Sequence, residues 1–191
     1  MGALPKEHHD RRFTYADYKD WELKEGERYE LIRGEAFAMS SPNTRHQAVS
    51  GEIFFQLYGY LQGKPCRAFS APFDVRLFYE EDESDDTVVQ PDIMVVCDKN
   101  RIGDEGIRGA PDLVIEILSP SNTVFEMDRK HILYREAGVR EYWEVNPNSS
   151  SVKVYYFKDG SVFPRAYASG ETVPVGIFPG FGITLDQVFA E

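Results

Sequence analysis

The chain has 191 residues, 42% of them hydrophobic, and a formal net charge of -11, enough to bury one core with appendages rather than two full domains. No run approaches about 18 consecutive apolar residues and the opening "MGALPKEHHDRRFTYADYKD" is too charged for a secretory leader, so a soluble cytoplasmic protein without membrane contact is expected. The acidity excludes a non-specific nucleic-acid coat, whose affinity comes from clustered Lys and Arg.

Thr14 followed by Asp17 has capping-box spacing and starts a short helix expected to run to about Leu23. "GERYELIRGEAFAMSS" then reads as two strands turning at Arg33-Gly34. Ser41 to Thr44 offers a turn and a cap, and Val49, Ile53, Phe54, Leu57 and Leu61 follow at helical spacing, with Gly63 beyond the end. "CRAFSAPFDVRLFYE" reads as one strand despite Pro72, and "TVVQPDIMVVCD" as a second, apolar on both faces after Asp92. Between them "EEDESDD", Glu80 to Asp86, lacks the glycine and spacing of a calcium loop and reads as a solvated hairpin loop.

"KNRIGDEGIRG" is expected to be a polar connection. "APDLVIEILSPSN" is a third strand broken by its last four residues, "TVFEMDRKHILYREAGV" an amphipathic helix stopped at Gly138, and "REYWEVNP" a fourth strand ended by Pro147. After Pro147 the alternation, with turns at Asp159-Gly160 and Ser169-Gly170, predicts antiparallel hairpins, and Thr184 with Gln187 has the spacing to open a closing helix. The fold class expected is a mixed α/β sheet. One domain spans 1–191: a helix and hairpin extension at 1–40, a core at 41–147 in helix, three strands, helix, strand order, and C-terminal hairpins at 148–191. Cys66 and Cys97 have no metal-type spacing and indicate neither a disulfide framework nor a zinc cluster, so a reducing compartment suits them.

The residue that stands out is Glu116, a carboxylate inside the apolar run Leu113 to Leu118, because burying an unpaired carboxylate costs several kcal/mol. Asp112 lies about 13 Å away along the strand, too far to share an ion with it. Asp92 opens the preceding strand, and neighbouring strands are only about 4.8 Å apart, so correct register brings the two carboxylates together. A magnesium or manganese ion held by Asp92, Glu116 and the Ile117 carbonyl would stabilise both charges and leave room for a phosphate oxygen. The alternative is a strand-start aspartate and a glutamate paired with a buried arginine such as Arg129 or Arg140.

"QPDIMVV", "PDLVIEILSPSN" and "DRKHILYREAGVREYWEV" resemble the Uma2 family, formerly DUF820, of the PD-(D/E)XK nuclease superfamily; the match runs from "YELIRGE" to "FPGFGI". The resemblance implies a restriction-endonuclease-like core, a metal on Asp92 and Glu116, and hydrolysis of DNA. The superfamily pattern asks for lysine two residues after the glutamate, where this chain has Leu118. Similar families move that lysine onto the following helix, which makes Lys130 the candidate, to orient water and offset transition-state charge. Its alternative is a surface lysine beside Asp128 and Arg129. Tyr134, four residues on, shares a helix face with Lys130 and can help place it, or is simply core.

Supporting positions each carry two readings. Glu52 either faces the same cleft as a further carboxylate or is solvated. His46, near the start of the first core helix, contacts phosphate or assists proton transfer, or is structural. Glu30, in "YELIRGE", matches a family motif at the cleft mouth, or stands exposed on its strand. Gln90 hydrogen-bonds a metal-bound water, or satisfies backbone at a strand edge, and Asp74 is a further candidate to line the cleft.

The function expected is a magnesium-dependent endonuclease acting on DNA, with a homodimer possible. The acidity is compatible with that function if positive charge, including Arg45, Lys99, Arg101 and Arg108, gathers at one cleft or if a dimer forms the groove. The alternative, suggested by Leu118, is a catalytically inactive nuclease fold that binds nucleic acid or protein. The two part on whether the Lys130 amine approaches Glu116.

Overall fold

Two sheets exchange the chain at Gln90 to Asp92; the computed structural model describes residues 11–119, 124–158 and 161–190. Helix α1 (Tyr15–Tyr18) begins at Thr14, whose backbone N–H donates to the Asp17 carboxylate at 3.0 Å. It ends well before Leu23, because the following turn carries Trp21 back edge-on against Phe13, with ring centroids 5.3 Å apart. Strands β1 (Tyr29–Ile32) and β2 (Glu35–Ala38) form the expected hairpin. Arg33 and Gly34, at φ 52° and 78°, supply the two left-handed residues that a tight hairpin turn needs.

Helix α2 (Thr44–Leu61) is capped by Asn43, whose side chain accepts from the His46 backbone N–H at 2.9 Å. Val49, Ile53, Leu57 and Leu61 recur on its inner face and are buried, each contributing roughly 1.5 to 3 kcal/mol through removal from water.

The two long strands expected next are each divided. Residues 66–80 supply β3 (Arg67–Ser70) and β4 (Val75–Arg76), separated by the cis Ala71–Pro72 bond. Residues 87–98 supply β5 (Val88–Val89) and β6 (Ile93–Val96), separated at Pro91. Proline has no N–H for a ladder, so at both places the strand leaves one sheet and its continuation joins the other. The polar connection is not wholly irregular, since it holds a 3₁₀ turn at Lys99–Arg101 and β7 (Ile107–Arg108), parallel to β4. The acidic segment does join the antiparallel pair β4 and β5, but Asp85 is buried there against Arg76.

Strand β8 (Leu113–Ile117), helix α3 (Val124–Ala137) and strand β9 (Glu141–Asn146) follow in the expected order, with β8 parallel to β9. The break expected at residues 119–122 falls mostly outside the described residues. Strands β10 (Ser151–Lys158) and β11 (Ser161–Ala168) form a long hairpin whose turn at 159–160 is also outside them. Strands β12 (Thr172–Pro174) and β13 (Gly182–Thr184) pair with each other, and α4 (Leu185–Val188) follows, although Thr184 makes no side-chain cap.

The larger sheet has the order β11-β10-β9-β8-β6-β3 and the smaller β2-β1-β5-β4-β7. Leu113, Ile115 and Ile117 of β8 face α2 and the C-terminal elements, in a core that includes Trp143, Val173 and Leu185. Val114 faces the other way, into a second core with Leu133 and Tyr134 of α3 and Val75 and Val89 of the smaller sheet. Glu116 is on this second side.

Cys66 and Cys97 correct the expectation of separate thiols. Arg67 pairs with Val96 across β3 and β6, so the next positions outward face each other, and the two cysteines are joined as a disulfide with Cα atoms 3.9 Å apart. Among the described residues no helix is long and apolar enough to cross a membrane.

Candidate active site

Strands β6 and β8 are antiparallel with Ile93 opposite Ile115, so one step further the register carries Asp92 opposite Glu116 on the side covered by α3. Asp92 Oδ2 accepts the Ile117 backbone N–H at 2.7 Å and lies 3.2 Å from His46 Nε2. Glu116, only 7% exposed, is approached from α3: its Oε1 accepts from Lys130 Nζ at 2.9 Å and from the Tyr134 hydroxyl at 2.5 Å. Glu30, at the seam between the sheets, accepts at Oε1 from Lys130 Nζ at 3.0 Å and from the Gln90 backbone N–H at 3.0 Å. The partner of the buried glutamate is therefore a lysine, not Arg129 or Arg140.

Burial pushes the Glu116 carboxyl from 4.5 up to about 7; Lys130 opposes the rise, while Asp92 and Glu30 add to it. Burial works against the Lys130 ammonium, but Glu116 and Glu30 outweigh it and hold its pKa above the ordinary lysine value. Lys130 is thus a fixed positive charge and hydrogen-bond donor at neutral pH. Burial also disfavours charged His46, yet the hydrogen bond and charge of Asp92, with Glu116 and the Ile117 carbonyl, raise its pKa overall. The other ring nitrogen of His46, Nδ1, is buried and makes no hydrogen bond among the described residues. Burial, with Glu116 next, lifts the Tyr134 phenol well above its usual range, so it stays a neutral donor.

These groups, Tyr134 excepted, line a cavity of about 770 Å³ that also reaches Pro42, Pro72 and Leu118. Among the described residues its charged walls are Arg28, Arg129 and Lys130 against Glu27, Glu30, Asp92, Glu116 and Glu126, three basic residues against five acidic. Arg45, Lys99, Arg101 and Arg108 do not line it, so among the described residues the expected gathering of positive charge at the cleft is not found. Instead Arg45 donates to the Pro147 carbonyl, Arg101 to that of Ala110, and Arg108 lies over Tyr79.

The structure thus brings Glu30, His46, Asp92, Glu116, Ile117, Lys130 and Tyr134 together. Glu52 is elsewhere: it accepts from Gln56, which bonds the Thr184 backbone at the α4 end of the molecule. Gln90 lines the cavity, but its side-chain amide donates to Asp74 at 2.8 Å and to the Tyr18 hydroxyl at 3.4 Å. Tyr18 donates in turn to Asp74 at 3.1 Å. Tyr18 was not apparent from sequence, because a tyrosine in a short amphipathic helix carries no signal of a contact 56 residues away.

Two carboxylates and a carbonyl are hard oxygen donors, the set that magnesium or manganese takes together with water and phosphate oxygens. Among the described residues no cluster of three or more His, Cys, Asp or Glu could hold a metal by itself. A set of two carboxylates and a carbonyl would leave the rest of an ion's coordination to solvent and substrate oxygens. The hydrogen bonds to Asp92 and Glu116 described here fall on one oxygen of each, Oδ2 and Oε1.

A mixed sheet with PD at the start of one strand, a glutamate opposite it on the next and a lysine over that glutamate defines a restriction-endonuclease-like nuclease fold. The chain belongs to the Uma2 family, described as "Putative restriction endonuclease", whose model matches residues 15–186. It is similar to two proteins of Synechocystis sp., "Uncharacterized protein slr1290", 24% identical over 75% of this chain and 73% of that one, and "Uncharacterized protein sll1609", 27% identical over 64% and 67%. The fold is also that of a solved protein from Anabaena variabilis, described as "a putative nuclease belonging to DUF820", with a TM-score of 0.72 at 22% identity over 93% of this chain and 98% of that one.

Proposed function

We propose that the protein is a magnesium- or manganese-dependent endonuclease that hydrolyses phosphodiester bonds in DNA. The observation that carries the reading is the Lys130 amine 2.9 Å from Glu116, which restores from α3 the acid and lysine pairing that Leu118 removes from the strand. Asp92, Glu116 and the Ile117 carbonyl would hold the ion, whose chemistry is to lower the pKa of a water and stabilise charge developing at phosphorus.

The remaining work falls to the chain's own groups. Lys130, fixed as an ammonium, offers N–H to a non-bridging phosphate oxygen or to the attacking water, where charge grows in the transition state. His46 holds Asp92 in place through Nε2, and Tyr134 keeps the Glu116 carboxylate turned toward α3. The acidic excess of the cavity argues that DNA approaches only after a divalent cation has offset it.

Calorimetric titration of manganese and magnesium into wild type, Asp92→Asn and Glu116→Gln, beside plasmid cleavage by the same proteins, tests the reading. Binding and cleavage that disappear in both variants support it. A folded wild type that binds neither ion in the presence of DNA, or variants that cleave like wild type, would end it.

A further inference from the structure

A lysine ammonium has three donors, and in this site two of them are already committed. Lys130 Nζ lies 2.9 Å from Glu116 Oε1 and 3.0 Å from Glu30 Oε1. Glu116 comes from the larger sheet and Glu30 from the smaller, so the amine is the tie between them. Glu30 is itself held, since it is 5% exposed and accepts the Gln90 backbone N–H at 3.0 Å. Gln90 lies two residues before Asp92, and the segment that carries the metal-site aspartate into one sheet thereby also fixes Glu30 in the other. A four-carbon side chain anchored by Glu116 alone would be free to swing about that one oxygen.

We propose that Glu30 is a positioning residue for catalysis: with Glu116 it grips the Lys130 ammonium at two points and leaves its third N–H for a phosphate oxygen in the cavity. The inference rests on the nuclease reading above, which by itself asks nothing of Glu30. It assigns Glu30 an effect on the rate of the chemical step at saturating metal, because Glu30 acts through Lys130 and not as a ligand of the ion.

The test is single-turnover plasmid cleavage by wild type, Glu30→Gln, Glu30→Asp, Lys130→Met and the Glu30→Gln/Lys130→Met double variant, with metal affinity measured for each. Gln keeps a neutral acceptor where the Gln90 amide and the Lys130 ammonium meet Glu30 Oε1 and removes only the charge that grips the ammonium, so the fold is expected to survive, as circular dichroism would check. At saturating metal, Glu30→Gln should slow cleavage roughly tenfold to a hundredfold, the scale on which a displaced catalytic group costs rate. Glu30→Asp, which keeps the charge, should recover part of the rate. The double variant should be no slower than Lys130→Met, because residues that act as a unit are not additive.

A Glu30→Gln rate within about twofold of wild type, or losses that simply multiply in the double variant, overturns the positioning role while leaving the nuclease reading intact. A wild type that cleaves nothing overturns the nuclease reading. In that event the anchoring is decided by the ¹H–¹⁵N signal of the Lys130 ammonium, assigned by its absence in Lys130→Met: its loss to faster exchange in Glu30→Gln upholds the two-point grip, and an unchanged signal refutes it.

Discussion

Replacing Glu116 by Gln is expected to flatten the pH dependence of stability in the metal-free protein. The Glu116 carboxyl is raised from 4.5 to about 7 by burial, against the opposing charge of Lys130. A raised carboxyl binds its proton more tightly folded than unfolded, so its contribution is complete below 4.5 and drains away as pH climbs to about 7. That gap, at about 1.36 kcal/mol per pH unit, amounts to about 3 kcal/mol. Urea unfolding in EDTA from about pH 5 to about pH 8 should show wild type losing roughly 2 to 3 kcal/mol more than Glu116→Gln. His46, also raised, contributes in the same direction, but it is present in both proteins and its share largely cancels. Parallel stability curves for the two proteins would refute the claim that burial of this carboxyl dominates its protonation.

Four other outcomes are expected. Tyr134→Phe removes a buried donor 2.5 Å from Glu116 and should cost about 1 to 3 kcal/mol in urea unfolding, with a smaller loss of cleavage than Lys130→Met; unchanged stability would count against that bond. Because the described residues of the cavity walls include five acidic and three basic ones, the anisotropy of a labelled duplex should report binding at least about tenfold weaker in EDTA than in calcium, whereas equal affinities would exclude a role for the cation in binding. Glu52→Ala should leave magnesium affinity unchanged, since Glu52 bonds Gln56 away from the cavity, and calorimetry would expose any error in that placement. Reducing the Cys66–Cys97 bond, which closes a sequence separation of 31, should lower stability by about 3 to 4 kcal/mol on a chain-entropy basis; free thiols found by alkylation of the native, air-exposed protein would contradict the pairing.

The elements that were legible in the sequence are those whose signals are local. Arg33-Gly34, the Asn43 cap, the helical spacing of α2 and the order of β8, α3 and β9 need only neighbouring residues to be recognised. What failed is non-local. Pro72 and Pro91 stand inside runs that read as single strands, and nothing nearby says that the chain changes sheets at them, because β5 and β6 are both apolar on both faces. The disulfide likewise depends on the register of β3 against β6, which short strands without a polar face do not specify.

Within the site the same division holds. Glu116 was conspicuous because a charge in an apolar strand violates its surroundings, and Asp92 followed from the spacing of adjacent strands. Lys130 needed the family resemblance, since one lysine on a charged helix is indistinguishable from any other by pattern. Glu52 had a usable signal that went the other way: it stands six residues after His46, about 240° further round the helix at 100° per residue, and so off the face that His46 shares with Val49 and Ile53.

The position of Lys130 also explains why Leu118 is tolerated. Residue 118 is two along from Glu116 and so projects to the same side of the sheet, into the cavity. A lysine there would reach the carboxylate from within the strand; in this chain the ammonium arrives from α3, four residues before Tyr134, and both side chains meet one oxygen of Glu116. The requirement is then spatial and not sequential: a positive charge held against a buried carboxylate that faces an aspartate across the ladder. An apolar residue at 118 leaves that requirement met.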